Sequence, residues 1–258
     1  MTPVRNQFAR WQLARTDIFV AAAPSSGYPE RVFKRRLRSA AIATANSTSG
    51  VAIATRLLGK TDSDGFPSPS HWHAAEPVHF SADWLGNHAD AQRATEVRLL
   101  WSPETLFLKF QARFRTITVF PDADPSGRRD HLWDRDVAEV FLQPDPSAPA
   151  RYREFEVAPN GMWIDLDIAP GSKANSHSAL RRRVTVNQSE KVWVAELALP
   201  MCSLIRYFDP SATWRLNFFR VEGPVEPRFY SAWCPTNTAI PNFHVPAAFG
   251  YLKFNSKR

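Results

Sequence analysis

The chain has 258 residues, 44% hydrophobic and 12% aromatic, enough apolar mass for one large domain and too much for a wholly disordered chain. No run of 18 apolar residues occurs, so no membrane span is expected. The charge of +7 is no nucleic-acid signal: residues 1–60 hold ten Lys or Arg against Asp17 and Glu30, whereas residues 61–258 hold 22 basic and 23 acidic side chains, without the bulk positive charge that tracks phosphates.

Residues 1–60 read as a basic, poorly ordered extension. They carry the cluster Arg31, Lys34, Arg35, Arg36, Arg38 and then a stretch rich in Ala, Ser and Thr. The apolar piece Ile18–Ala23 is short and follows a mixed start, which does not match a secretory leader. An export leader of unusual form and a start placed too far upstream remain alternatives. Asp62–Ser70 is a turn-rich boundary, so the folded domain is expected over 61–258. Alternating runs then predict strands at Val78–Ser81, Glu96–Trp101, Leu106–Phe114, Asp136–Leu142, Tyr152–Ala158, Met162–Ile168, Leu180–Asn187, Val192–Leu199, Trp214–Glu222, Phe229–Trp233 and Gly250–Phe254. One short helix is expected near Leu199–Tyr207. Many short strands, 21 prolines and only ten glycines point to an all-β antiparallel sandwich.

No GxSxG, HExxH, Walker or GxGxxG pattern occurs. His71 and His73 would share a face on a strand and so offer a metal pair, against the plainer reading of exposed polar residues. Cys202 and Cys234 read as two small core residues, with a disulfide between them as the alternative. On the strand through 136–142, Val137, Glu139 and Phe141 share one face while Asp136, Ala138 and Val140 share the other. Glu139 thus interrupts an apolar row and needs a partner, since an unpaired buried charge is costly. Arg153 on the next strand is the expected one. Asp134, Asp136, Glu139, Glu154 and Glu156 also offer carboxylate pairs of the kind glycoside hydrolysis uses.

Nine tryptophans stand out. Trp193 and Trp214 lie in apolar strand patterns and read as core. Trp133 and Trp233 lie at strand ends beside polar residues, where an indole can stack on the apolar face of a pyranose while neighbours bond its hydroxyls.

The ordered set Trp133–Leu142 (WDRDVAEVFL), Tyr152–Gly161 (YREFEVAPNG), Val192–Pro200 (VWVAELALP), Trp214–Gly223 (WRLNFFRVEG), Ser231–Thr236 (SAWCPT) and Phe243–Phe254 (FHVPAAFGYLKF) resembles the family 9 carbohydrate-binding modules and their free-standing bacterial relatives, over about residues 72–254. The resemblance implies a DOMON-related, jelly-roll-like β-sandwich that binds a carbohydrate in a role linked to polysaccharide catabolism, with an extracellular or periplasmic location. It implies that Trp133 and Trp233 clamp a sugar and that Glu139 and Arg153 bond its hydroxyls, with Asp134 and Asn237 as lesser contacts. The Pro-rich segment after Trp233 (PTNTAIPNFHVP) departs from the xylanase modules. No cofactor is expected, although the resemblance admits a structural calcium, for which Asp122, Asp124 and Asp130 offer oxygens without EF-hand spacing. Two other functions stay open. One is a glycoside hydrolase, or a subunit of one, using Glu139 with Asp136 or Glu154. The other is a haem-binding DOMON-like module with His131 or His244 as ligand. The oligomeric state is not readable from the sequence.

Overall fold

The computed structural model describes residues 50–124 and 126–255. Thirteen strands and two short helices follow in chain order: β1 (Val51–Arg56), α1 (Pro69–Ala74), β2 (Val78–Phe80), β3 (Thr95–Trp101), β4 (Thr105–Arg113), β5 (Val137–Gln143), β6 (Tyr152–Val157), β7 (Trp163–Ala169), β8 (Ser172–Asn175), β9 (Arg181–Asn187), β10 (Val192–Pro200), α2 (Met201–Leu204), β11 (Trp214–Glu222), β12 (Phe229–Ala232) and β13 (Gly250–Asn255). All eleven expected strands are present, each end within one residue of its expected place. None of these helices is long and apolar enough to cross a membrane.

Two strands and a helix were not expected. β1 falls inside the segment read as an extension, yet it runs in mid-sheet, parallel to both β13 and β3. Its inward residues Ala52 and Ala54 are fully buried, and their small size lets the strand lie under large neighbours. The sheet therefore begins at 51 rather than after 60, and the parallel pairs make it mixed rather than purely antiparallel. β8 was missed because its four residues are polar and exposed. α1 replaces the strand on which His71 and His73 were expected to pair. Pro69 starts it, and the His71 ring closes a capping box with Ser68, a structural task.

The strand order is β8-β7-β6-β5-β11-β13-β1-β3-β4-β10-β9, with β12 on β11 and β2 on β3. The path curls so that its two halves face each other as a sandwich. The main core lies between them: Phe110 of β4 meets Phe218 of β11 edge-on at 5.9 Å, and Trp193, Trp214 and Leu199 are fully buried. A charged island sits in the same interior. Arg220 and Glu222 are inaccessible, their side chains 3.0 Å apart, and Arg220 lies over the Trp193 ring. A second apolar cluster covers the outer face of β5, β6, β7 and β11, built from Leu132, Val137, Phe141, Ile164, Phe219 and Phe243. The candidate site belongs to this outer face.

Candidate functional site

Strand alternation places the site. In the β5–β6 ladder Glu139 stands directly opposite Glu156, and Phe141 opposite Glu154. On the other side of β5, Phe219 of β11 pairs with Glu139. Glu139, Glu154 and Glu156 therefore project from the outer face among Phe141, Phe219, Ile164 and Leu166. All three are almost wholly buried. One oxygen from each comes within 4.8 Å of the others; Glu139 Oε1, Glu154 Oε2 and both oxygens of Glu156 receive no N–H or hydroxyl bond, and Glu154 and Glu156 share a carboxyl–carboxyl hydrogen bond. Burial first, then the Glu154 charge, holds Glu139 well above the usual carboxylate range. Glu156 is raised in the same way by burial, by the Glu139 and Glu154 charges and by its side-chain hydrogen bond with Glu154.

Two cations reach this patch from elements distant in sequence. Lys173 of β8 brings Nζ to 3.8 Å from Glu154 Oε1 and to 3.8 Å from the Trp133 ring centroid. Arg228, just before β12, donates from Nη1 to the Trp133 carbonyl at 2.7 Å and from Nη2 to the Tyr230 hydroxyl at 2.6 Å. Trp133 sits in a 3-10 turn over Leu132–Asp134, half-buried, with the exposed His131 ring against it at 4.8 Å. Trp84 meets Tyr230 edge-on and extends the aromatic rim. Tyr152 Oη and His244 Nδ1 are 2.7 Å apart, and burial lowers the pKa of His244.

The expected site residues separate into those this face gathers and those it does not. Trp133, Glu139 and Glu154 come together. Trp233 does not join them: it is 8% exposed, belongs to the core between the layers and packs on Phe218. Its backbone N–H bonds the Phe218 carbonyl, and its ring is aimed at the face of the sheet opposite to Glu139. The clamp of Trp133 with Trp233 is therefore not formed. The signal for this was the odd separation from Tyr230, which alternation puts on the site face. Arg153 also points away from Glu139. It pairs with Leu142 across the ladder and bonds Asp167 at 3.2 Å. Asp136 is buried on the face opposite to Glu139, accepting the N–H groups of Thr118 and Gly223, so it forms no catalytic pair with Glu139. Asp134 is half-exposed beside His131. Asn237 is exposed at the far end of the rim, with its backbone N–H on the Trp84 carbonyl.

The remaining metal and haem expectations resolve locally. Asp124 Oδ1 accepts from Ser126 and from the Arg128 N–H, and Asp130 faces Arg128. Among the described residues, the glutamate trio is the cluster of ligand atoms close enough to share an ion. Nδ1 of His244 is engaged by Tyr152. Both cysteines are free, and Cys202 is exposed rather than core.

Three solved structures share the architecture. A candidate carbohydrate-binding protein from Bacteroides uniformis superposes with a TM-score of 0.64 at 15% identity, covering 80% of this chain and 99% of its own. A family 9 carbohydrate-binding module from Caldicellulosiruptor kristjanssonii, in complex with glucose, gives 0.58 at 12% identity over 81% of this chain and 97% of its own. The same organism's family 9 module with cellotriose gives 0.57 at 13% identity over 81% and 95%. This chain has the fold of the family 9 carbohydrate-binding modules. In sequence, an "Extracellular protein" of Arthroderma benhamiae is 26% identical over 178 residues, spanning 62% of this chain and 78% of that relative. No family model matches the chain. The family 9-like fold accounts for the sandwich.

Proposed function

We propose that this protein binds carbohydrate at the outer face around Trp133. The observation that carries the reading is the stack of the Lys173 ammonium on the half-buried Trp133 indole, beside Glu154 and within the field of Glu139 and Arg228. An indole face with a cation and carboxylates at its edge suits a pyranose. The ring's C–H face packs on the aromatic while charged groups take its hydroxyl pairs. The solvent-reached Lys173 and His131 yield that face when a sugar arrives. Tyr230, tied to Trp133 through Arg228, supplies a second aromatic edge in place of Trp233. The glucose- and cellotriose-bound modules of the same fold support a glucan-type ligand, and our reading extends to a role in polysaccharide breakdown.

Calorimetric titration of glucose, cellotriose and xylotriose tests this. One aromatic platform contributes about 0.5–1.5 kcal/mol beyond area burial, so affinity should lie on the order of micromolar to millimolar. Trp133→Ala should weaken binding about tenfold or more, and Lys173→Met should weaken it by a smaller factor. Equal binding by wild type and Trp133→Ala would remove the proposal. Turnover of aryl glycosides that Glu139→Gln abolishes would replace binding by hydrolysis.

A further inference from the structure

Beside the Trp133 turn, positive charge stands without a counter-charge. Phe120 carries two guanidinium groups, the Arg129 carbon 4.2 Å and the Arg135 carbon 4.6 Å from its ring centroid. Stacking holds a guanidinium on a ring while its N–H edge stays free for an oxyanion. The neighbouring acids are turned elsewhere: Asp130 faces Arg128 at 3.6 Å and Asp134 faces His131 at 4.0 Å. Among the described residues, no carboxylate comes within 4.0 Å of either arginine. Arg129 Nη1 donates to the Asp130 carbonyl at 3.3 Å and Arg135 Nη1 to the Asp134 carbonyl at 2.7 Å, while Arg129 Nε is buried without an acceptor. Both side chains are half-buried, so water screens their charge less and their pull on an anion is stronger.

We infer that Arg129 and Arg135, set on Phe120, bind the carboxylate of a uronic acid, so that the preferred glycan is acidic; this rests on the reading of Trp133 as a sugar platform. The two places adjoin. Trp133 and Phe120 pack on the same outer-face cluster, and Arg135 closes the 3-10 turn that carries Trp133. The Asp136 N–H bonds the Thr118 carbonyl at 2.9 Å, which lays the segment of Phe120 along that of Arg135. Asn160 Nδ2 donates to the Phe120 carbonyl at 3.0 Å, so the backbone under the ring is anchored before a ligand arrives. A uronate keeps the pyranose ring and differs from a glucose unit at C6, where a carboxylate replaces the hydroxymethyl group. Its C–H face packs on an indole as glucose does. Its planar carboxylate takes paired N–H bonds from a guanidinium, which are stronger than bonds to a neutral hydroxyl. The glutamate trio opposes such an anion little, because burial keeps Glu139 and Glu156 toward their neutral forms. Lys173, on the Trp133 ring, adds a third cation.

The test titrates the full chain by calorimetry with cellotriose and with the same trisaccharide oxidised at each C6, the triuronate. The triuronate should bind about ten times more tightly at low salt. Raising NaCl from about 0.05 M to about 0.5 M should remove most of that preference. Arg129→Gln and Arg135→Gln should each cut the ratio of the two affinities several-fold, with thermal melting used to verify folding, and the second variant serves should the first fold poorly. A preference that survives in both variants overturns the inference and puts the carboxylate at Lys173 or Arg228. Cellotriose sulfated at C6 that binds where the triuronate does not overturns the carboxylate assignment in favour of sulfate. Cellotriose bound as tightly as the triuronate sinks this inference alone, whereas binding of neither sugar sinks the reading of Trp133 as well.

Discussion

Glu139 and Glu156 face one another across a single antiparallel ladder, both out of reach of solvent. Like charges in that relationship repel at short range, and burial multiplies the cost. The arrangement makes this face a poor contributor to stability and a strong candidate for binding.

The first prediction concerns pH. Both acids sit above their ordinary value of 4.5, so the folded state binds their protons more tightly than the unfolded chain does. The stabilisation is complete below that ordinary value and is lost as pH rises toward the folded values. Glu156→Gln should therefore exceed the wild type in denaturant midpoint at pH 8, with the gap narrowing toward pH 4. A gap that does not change with pH would contradict this account.

Asp136 gives a second, narrower window. Burial raises it from 3.8 to about 6, against the opposing pull of the Gly223 and Thr118 N–H groups. Stability should fall as pH rises from about 4 to 6, by about 3 kcal/mol relative to Asp136→Asn, and then run parallel to it. Urea unfolding of both proteins at intervals of pH would show it, and parallel curves throughout would count against the assignment.

Arg220 is the hub of the interior island. It donates to Glu222 at 3.0 Å and to the Arg113 carbonyl at 3.1 Å. Arg220→Met keeps the volume but strands the buried Glu222 charge, with Arg93 its other side-chain partner. We expect a loss of about 3–5 kcal/mol, read by denaturant titration. A loss under about 1 kcal/mol would mean that the island is solvated.

Gly250 tests the placement of Trp233. A Cβ at this position would lie 2.5 Å from the Gly50 carbonyl and 2.8 Å from the Trp233 ring, so β13 could not stay close to both. Gly250→Ala should cost about 1–3 kcal/mol, and Trp233→Ala about 3–5 kcal/mol. A stable Trp233→Ala protein that has lost sugar affinity would restore this residue to the binding surface.

Much of the architecture was legible because it is local. Alternation in stretches such as Val192–Leu199 and Trp214–Glu222, closed by Pro, Asn and Gly, marks strands without knowledge of their partners. The same alternation correctly sets Glu139 apart from Asp136. It could not say which strand lies alongside. Arg153 looked like the partner of Glu139, but the ladder register brings Glu156 opposite and turns Arg153 to Asp167.

What the sequence determined by itself was therefore the all-β class, the strand limits from Val78 onward apart from β8, the family 9-like order of motifs, and the oddity of a carboxylate in an apolar row. Tertiary structure alone decided that β1 joins the sheet and that Lys173 and Arg228 arrive beside Trp133. The physical reason is that a strand encodes its two faces in its own residues. Its neighbours, and which face they cover, depend on contacts between segments far apart in the chain.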